Sequence, residues 1–94
     1  MGNLRLKQID EAVYVMERIT TEMKLLSEKL EKIRNDEDEY SEYLFEILND
    51  TEELKKSEEF CNRLSAAIEK LEHAKDTDLL EASVNIDMAQ KIKE

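Results

Sequence analysis

The chain has 94 residues, of which 40% are charged and 5% aromatic, and it carries a formal net charge of −10. It lacks proline, and its one glycine stands at position 2, which excludes the glycine-rich loops that cradle phosphate groups. Regularly spaced Leu, Ile and Met argue against disorder despite the charge. The composition therefore predicts a single all-helical domain over residues 1–94.

The first predicted helix spans residues 4–34 and carries an apolar stripe. From Met16 onward the spacing is a strict heptad, which is typical of a helix that packs against a partner helix. The stripe residues recur in steps of three and four, so they fall on one helix face: Ile9, Ala12, Val13, Met16, Ile19, Met23, Leu26, Leu30 and Ile33.

A turn is predicted at residues 34–37, because extending the heptad would place the charged Glu37 on the apolar stripe. Asp36 followed by Glu39 matches the pattern of a capping box, which would start a new helix. The chain would then turn back, so that the acidic residues 38–50 face the cations that close the first helix: Lys24, Lys29, Lys32 and Arg34.

The second predicted helix spans residues 37–75, with a break near residue 50 as the alternative. Asp50 or Thr51 could cap a new helix at such a break. The early apolar face comprises Tyr40, Leu44, Ile47 and Leu48. The later one lies roughly 150° further round the helix and comprises Phe60, Leu64, Ala67, Ile68, Leu71 and Ala74.

The third predicted helix spans residues 78–93, with Asp78 as its N-cap and Glu81 three residues later. The predicted fold is therefore all-α, a long antiparallel helical hairpin with a short C-terminal helix. We expect it to dimerise into a helical bundle with coiled-coil character. A continuous parallel coiled coil over residues 4–75 is the competing arrangement, and the shift between the two apolar faces argues against it.

Almost all of the negative charge lies in one quarter of the chain. Residues 35–59 contain eleven acidic and two basic side chains. This excess indicates either a solvated helix face or a docking surface for a basic partner. Direct binding to nucleic acid is not expected, because the phosphates would be repelled.

An aromatic side chain within this acidic segment indicates a contact surface. Phe45 falls about 140° round a helix from Tyr40, on the outer face. It could pack within the chain, against a second copy or against another protein, and aromatic anchors with charged rims are typical of interfaces. The predicted partner-binding residues are Asp36, Glu37, Asp38, Glu39, Glu42, Tyr43, Phe45 and Glu46.

The sequence shows no pattern of a catalytic, cofactor or metal site, so we expect none of these and no enzyme. Glu69 and His73 lie four residues apart on one helix, and two ligands from one helix do not make a metal site. The lone Cys61 is predicted to be a small core residue. No apolar run approaches the roughly 20 residues of a membrane span, and the start of the chain lacks the apolar part of a signal peptide. We therefore expect a cytoplasmic protein without membrane contact.

The leading functional hypothesis is a non-enzymatic protein–protein interaction module. It would act as an adaptor, a chaperone-like subunit or an inhibitor, by helix packing and through an acidic helix face. The expected partner is a protein, with a basic surface as one option, and we also expect a homodimer. One alternative is an acidic nucleic-acid mimic of the phage anti-defence type, which inhibits a basic nucleic-acid-binding protein. A structural coiled-coil spacer is another.

A third alternative comes from resemblance. In length and in its predicted hairpin outline the chain is similar to the WXG100-type proteins of type VII secretion, whose two helices are joined by a Trp-x-Gly turn. The corresponding predicted turn here reads RNDEDEY, residues 34–40, without tryptophan or glycine. The resemblance implies a secretion-associated helical hairpin that lacks this turn motif.

Overall fold

The computed structural model describes residues 2–49 and 51–94. Helix α1 spans Gly2–Tyr43, α2 spans Thr51–Ala74 and α3 spans Leu80–Lys93. A first π turn, Leu44–Leu48, follows α1, and a second, Lys75–Leu79, joins α2 to α3. No strand occurs in these two described ranges, and α1 and α2 pair as an antiparallel hairpin, so the predicted all-α helical hairpin is confirmed. Dimerisation stays a prediction.

The turn predicted at residues 34–37 is wrong, because α1 runs through these residues without interruption. Neither glycine nor proline is present there to end the helix. The Lys32 ammonium donates to the Asp36 carboxylate at 3.1 Å, and such a pair adds about 0.2–0.5 kcal/mol to helix stability. Asp36 therefore lies inside a helix instead of capping one, and residues 38–43 continue α1 instead of turning back along its cations.

The chain reverses after the first π turn, at Asn49. This residue has a left-handed backbone, with φ 53° and ψ 36°, which asparagine tolerates better than most residues with a side chain. One helix over residues 37–75 is therefore wrong, and the alternative break near residue 50 is confirmed. Thr51 begins α2, whereas Asp50, the other predicted cap, lies outside the described residues.

The chain divides into two compact units. The turn unit is Leu25–Leu71, and the terminal unit is the chain up to Lys24 together with Glu72–Glu94. In the terminal unit, the Gln90 side-chain amide of α3 donates to the Asp10 carboxylate of α1. The prediction of a single domain stays a prediction.

Polar contacts join α1 and α2 in the turn unit. The Arg34 guanidinium donates to the Ser65 hydroxyl at 3.4 Å, and two turns further along α1 the Ser41 hydroxyl lies 2.5 Å from that of Ser57. From the first contact to the second, the residue number rises in α1 and falls in α2, so the two helices run antiparallel. Ser57 is buried, and its small side chain lets the two helix backbones approach closely.

The α1 face that lies against α2 is rotated from the predicted apolar stripe. Its buried or half-buried side chains are mostly polar: Ser27, Leu30, Arg34, Glu37, Ser41 and Leu44. By contrast, Leu26 and Ile33 of the predicted stripe are 45% and 46% exposed. The stripe prediction is therefore wrong for these two residues, because the serine contacts occupy the interface in their place.

The third helix begins two residues later than predicted. Asp78, the predicted N-cap, lies within the second π turn, and no side chain caps α3 at Leu79. The backbone stays in the right-handed helical region at both Ala74 and Leu80, so α2 leads into α3 through a widened turn and not through a capped break.

Asn49 gives a test of the reversal. Replacing it with alanine, which is less stable in the left-handed region, should lower the free energy of unfolding by about 1 kcal/mol. Asn49→Gly should change it by less than about 0.5 kcal/mol, because glycine adopts this region without strain. Chemical denaturation followed by circular dichroism measures both.

The matched control is Asn35→Ala within α1, where alanine is the better helix former and should raise stability by a few tenths of a kcal/mol, roughly. A loss of stability at residue 35 but not at residue 49 would contradict the position of the reversal.

Candidate functional site

The first π turn and its flanks expose a group of apolar side chains. We call these the turn cluster: Tyr43, Phe45, Ile47 and Leu48, which are 49%, 65%, 66% and 54% exposed. Leu44, within the same segment, is 1% exposed and anchors the turn against the rest of the turn unit. Because one side chain of the turn points inward and the backbone reverses directly afterwards, its neighbours are left on the surface.

Tyr43 is held by an aromatic neighbour. Its ring lies 6.4 Å from that of Tyr40, centroid to centroid, at an interplanar angle of 27°. Offset aromatic pairs of this kind contribute about 0.5–1.5 kcal/mol beyond the area they bury. One edge of the turn cluster is therefore preorganised for contact.

Acidic side chains flank the turn cluster on both sides. Glu42 and Glu46 are exposed before the reversal, and Glu52 is exposed after it. No lysine, arginine or histidine occurs in the sequence between Arg34 and Lys55. The rim of the cluster is therefore negative without a cation from the same segment.

Seven of the eight predicted partner-binding residues are exposed, on the last turns of α1 and in the first π turn: Asp36, Asp38, Glu39, Glu42, Tyr43, Phe45 and Glu46. Of these, Asp36 pairs with Lys32 of its own helix. The eighth residue, Glu37, is half-buried.

The sequence reasoning missed two members of the turn cluster. It placed Ile47 and Leu48 on one helix face with Leu44, but the structure buries only Leu44 of these three. It also placed Tyr40 on that face, and this residue is 44% exposed. The signal that was available is Asn49, a residue type that tolerates the left-handed backbone at the end of a helix.

Cys61 is part of the core, as predicted, and 7% of its surface is exposed. Burial raises the pKa of its thiol to about 11, the nearby carboxylates of Asp38 and Glu37 add to this, and the charge of Arg34 opposes it. The thiol donates to the Arg34 carbonyl at 3.8 Å. Since the thiolate is the nucleophile, a thiol with a raised pKa is poorly suited to covalent chemistry.

No protein-family model, curated protein or solved structure matches the chain. The described residues bring together no group of three or more His, Cys, Asp or Glu side chains that could hold a metal ion. None of the helices within the described ranges has the length and apolar character to cross a membrane.

The raised pKa of the Cys61 thiol predicts that the protein becomes less stable at alkaline pH. Its thiol ionises near pH 9.0 without the protein environment and near 11 in the fold. Below pH 9 both states hold the proton and stability is complete. As the pH rises from 9 to 11, the unfolded chain releases its proton first, so the free energy of unfolding should fall by an amount of the order of 2 kcal/mol.

Urea denaturation at pH 8, 9.5 and 11 measures this fall. The variant Cys61→Ala has a lower stability throughout but lacks the thiol, so its stability should depend less steeply on pH over this interval. Equal slopes for the two proteins would show that the thiol is not buried as described.

Proposed function

We propose that the protein is a non-enzymatic protein–protein interaction module that binds a partner protein through the turn cluster and its acidic rim. The supporting observation is the exposure of the turn cluster beside the buried Leu44. Contiguous exposed apolar patches mark interaction sites on protein surfaces. An adaptor, a chaperone-like subunit or an inhibitor would act through such binding alone.

Phe45 is the proposed anchor of this contact. It is 65% exposed, and both acidic neighbours in the sequence, Glu42 and Glu46, are exposed as well. Aromatic side chains dominate binding hot spots, whereas charged side chains serve as the rim that excludes water and selects the partner. The partner should therefore present an apolar pocket for Phe45.

The charge of the rim indicates the chemistry around that pocket. With eleven acids and two bases in residues 35–59, the segment would attract a basic surface and repel an acidic one. Complementary charges of this kind raise the rate of association and select partners more than they raise affinity. A basic rim on the partner protein is therefore part of the proposal.

The second candidate function is the acidic nucleic-acid mimic. Its supporting observation is the exposed acidic side chains on both sides of the reversal. A mimic would bind a nucleic-acid-binding protein mainly through charge, and its affinity should fall steeply as salt is added. Binding anchored by Phe45 should depend much less on salt.

Phe45→Ala tests the first proposal. Once cross-linking in the source cell has identified a bound protein, the dissociation constant for that protein should rise by roughly tenfold or more in the variant, since hot-spot truncations cost more than about 1–2 kcal/mol. Helicity and melting temperature should not change, because Phe45 contributes little to the core. Isothermal titration calorimetry and circular dichroism measure these quantities.

The matched control is Tyr14→Ala in α1, because Tyr14 is also an aromatic residue that is 65% exposed. This variant should bind as the parent does. A lowered melting temperature for Phe45→Ala with unchanged binding would assign Phe45 to the core and refute the proposal. If the unmodified protein, Phe45→Ala and Tyr14→Ala all bind equally well and all lose binding when salt is added, the result would favour the nucleic-acid mimic.

A further inference from the structure

A second apolar surface runs along α1 in the turn unit. Leu26, Ile33 and Tyr40 are spaced by seven residues, so they form a row along one side of the helix, and all three are 44–46% exposed. Phe60 of α2 is 43% exposed and lines a shallow depression with Ile33, Asp36 and Glu37. We call the row and Phe60 together the heptad face.

The core of the turn unit is small for a chain of this size. Within the described ranges, the buried apolar residues are Leu44, Cys61 and Ile68, all in this unit. The one cysteine excludes an internal disulfide. Small domains without disulfides or metals commonly complete their core by oligomerising. Covering the heptad face would supply the missing apolar contacts.

The charges beside the row indicate what covers it. Lys29 stands four residues before Ile33 and Asp36 stands three residues after it. The two are seven residues apart, so they flank the row at the same heptad position and on the same side. On this side of the row, the half before Ile33 carries a cation and the half after it carries an anion. Two copies of the row that run in opposite directions therefore bring unlike charges together.

We infer that the heptad face binds a second copy of this chain, with the two α1 helices antiparallel and a two-fold axis near Ile33. In this arrangement Leu26 of each copy lies against Tyr40 of the other, because both are seven residues from Ile33. Lys29 of each copy also lies against Asp36 of the other, which gives two reciprocal ion pairs.

A parallel pair would not have this complementarity. It would place Lys29 of one copy and Asp36 of the other on opposite sides of the row, so neither of the two reciprocal ion pairs would form. Asp36 already accepts from Lys32 of its own helix, but its side chain is 65% exposed and can accept a second cation. The antiparallel dimer would be a bundle of two hairpins.

This interface does not include the turn cluster, so the inference does not depend on the proposed function. Dimerisation would leave Phe45 available for a different protein. Accordingly, Phe45→Ala should not alter the dissociation constant of the dimer.

Sedimentation equilibrium of the full chain from micromolar to about 0.5 mM tests the dimer. We expect the parent protein to dimerise in this range. Ile33→Glu should raise the dimer dissociation constant at least 100-fold, roughly, because two carboxylates would face each other at the axis. Met88→Glu is the matched control, since Met88 is an apolar residue that is 58% exposed outside the heptad face, and it should dimerise as the parent does.

A charge exchange tests the antiparallel direction with substitutions that the helix tolerates. Lys29→Glu should weaken the dimer about tenfold by setting acid against acid. Adding Asp36→Lys to it should restore dimerisation, because the two ion pairs then form with their charges exchanged. A monomeric parent, a dimer that survives Ile33→Glu, or an exchange that restores nothing would each overturn the inference.

Discussion

The rotation of α1 about its own axis determines which side chains the turn unit buries and which it exposes. This rotation is set where Ser41 meets Ser57 and where Arg34 reaches Ser65. Small side chains at such a contact let two helices approach more closely than leucine would, and the buried hydroxyls keep their hydrogen bonds. Once these residues face α2, the row of Leu26, Ile33 and Tyr40 is turned toward the surface.

The position of the reversal has an equally direct effect on the candidate site. Because α1 continues to Tyr43, the acidic residues from Asp36 to Glu42 belong to the end of a long helix and not to a turn. The reversal comes at Asn49, and Leu44 is the one side chain of the first π turn that enters the core. The turn cluster is exposed for this reason.

Much of the fold could be predicted from the sequence, because it depends on strong local signals. The absence of proline and of internal glycine, together with helical spacing of apolar residues, predicts long helices. The change of apolar face near residue 50 fits either one helix over residues 37–75 or a break, and the structure has the break. The capping preferences of Asn35 and Asp36 predicted a turn where none occurs. Such preferences are weak, and a helix continues through these residues when none of them prevents the helical backbone.

The choice of the buried face could not be predicted in the same way. A count of apolar residues predicts that Leu26 and Ile33 are buried and that Ser27 and Arg34 are exposed. Such a count takes no account of how closely two helices can approach. The sequence indicated Phe45 as an outer residue, whereas the exposure of Ile47 and Leu48 beside it depends on the reversal at Asn49. The polar contact between α1 and α2, next to the exposed row of Leu26, Ile33 and Tyr40, supports the proposal that this row binds another molecule.

The rotation of α1 is the claim on which this interpretation depends, and a pair of engineered cysteines measures it directly. In a Cys61→Ala background, Ser41→Cys with Ser57→Cys should oxidise to a disulfide within one chain, because the hydroxyl oxygens they replace lie 2.5 Å apart. Tyr40→Cys with Ser57→Cys should not, since residue 40 lies on a different side of the helix. An internal disulfide in the second pair and none in the first would place the apolar row against α2 and contradict the account.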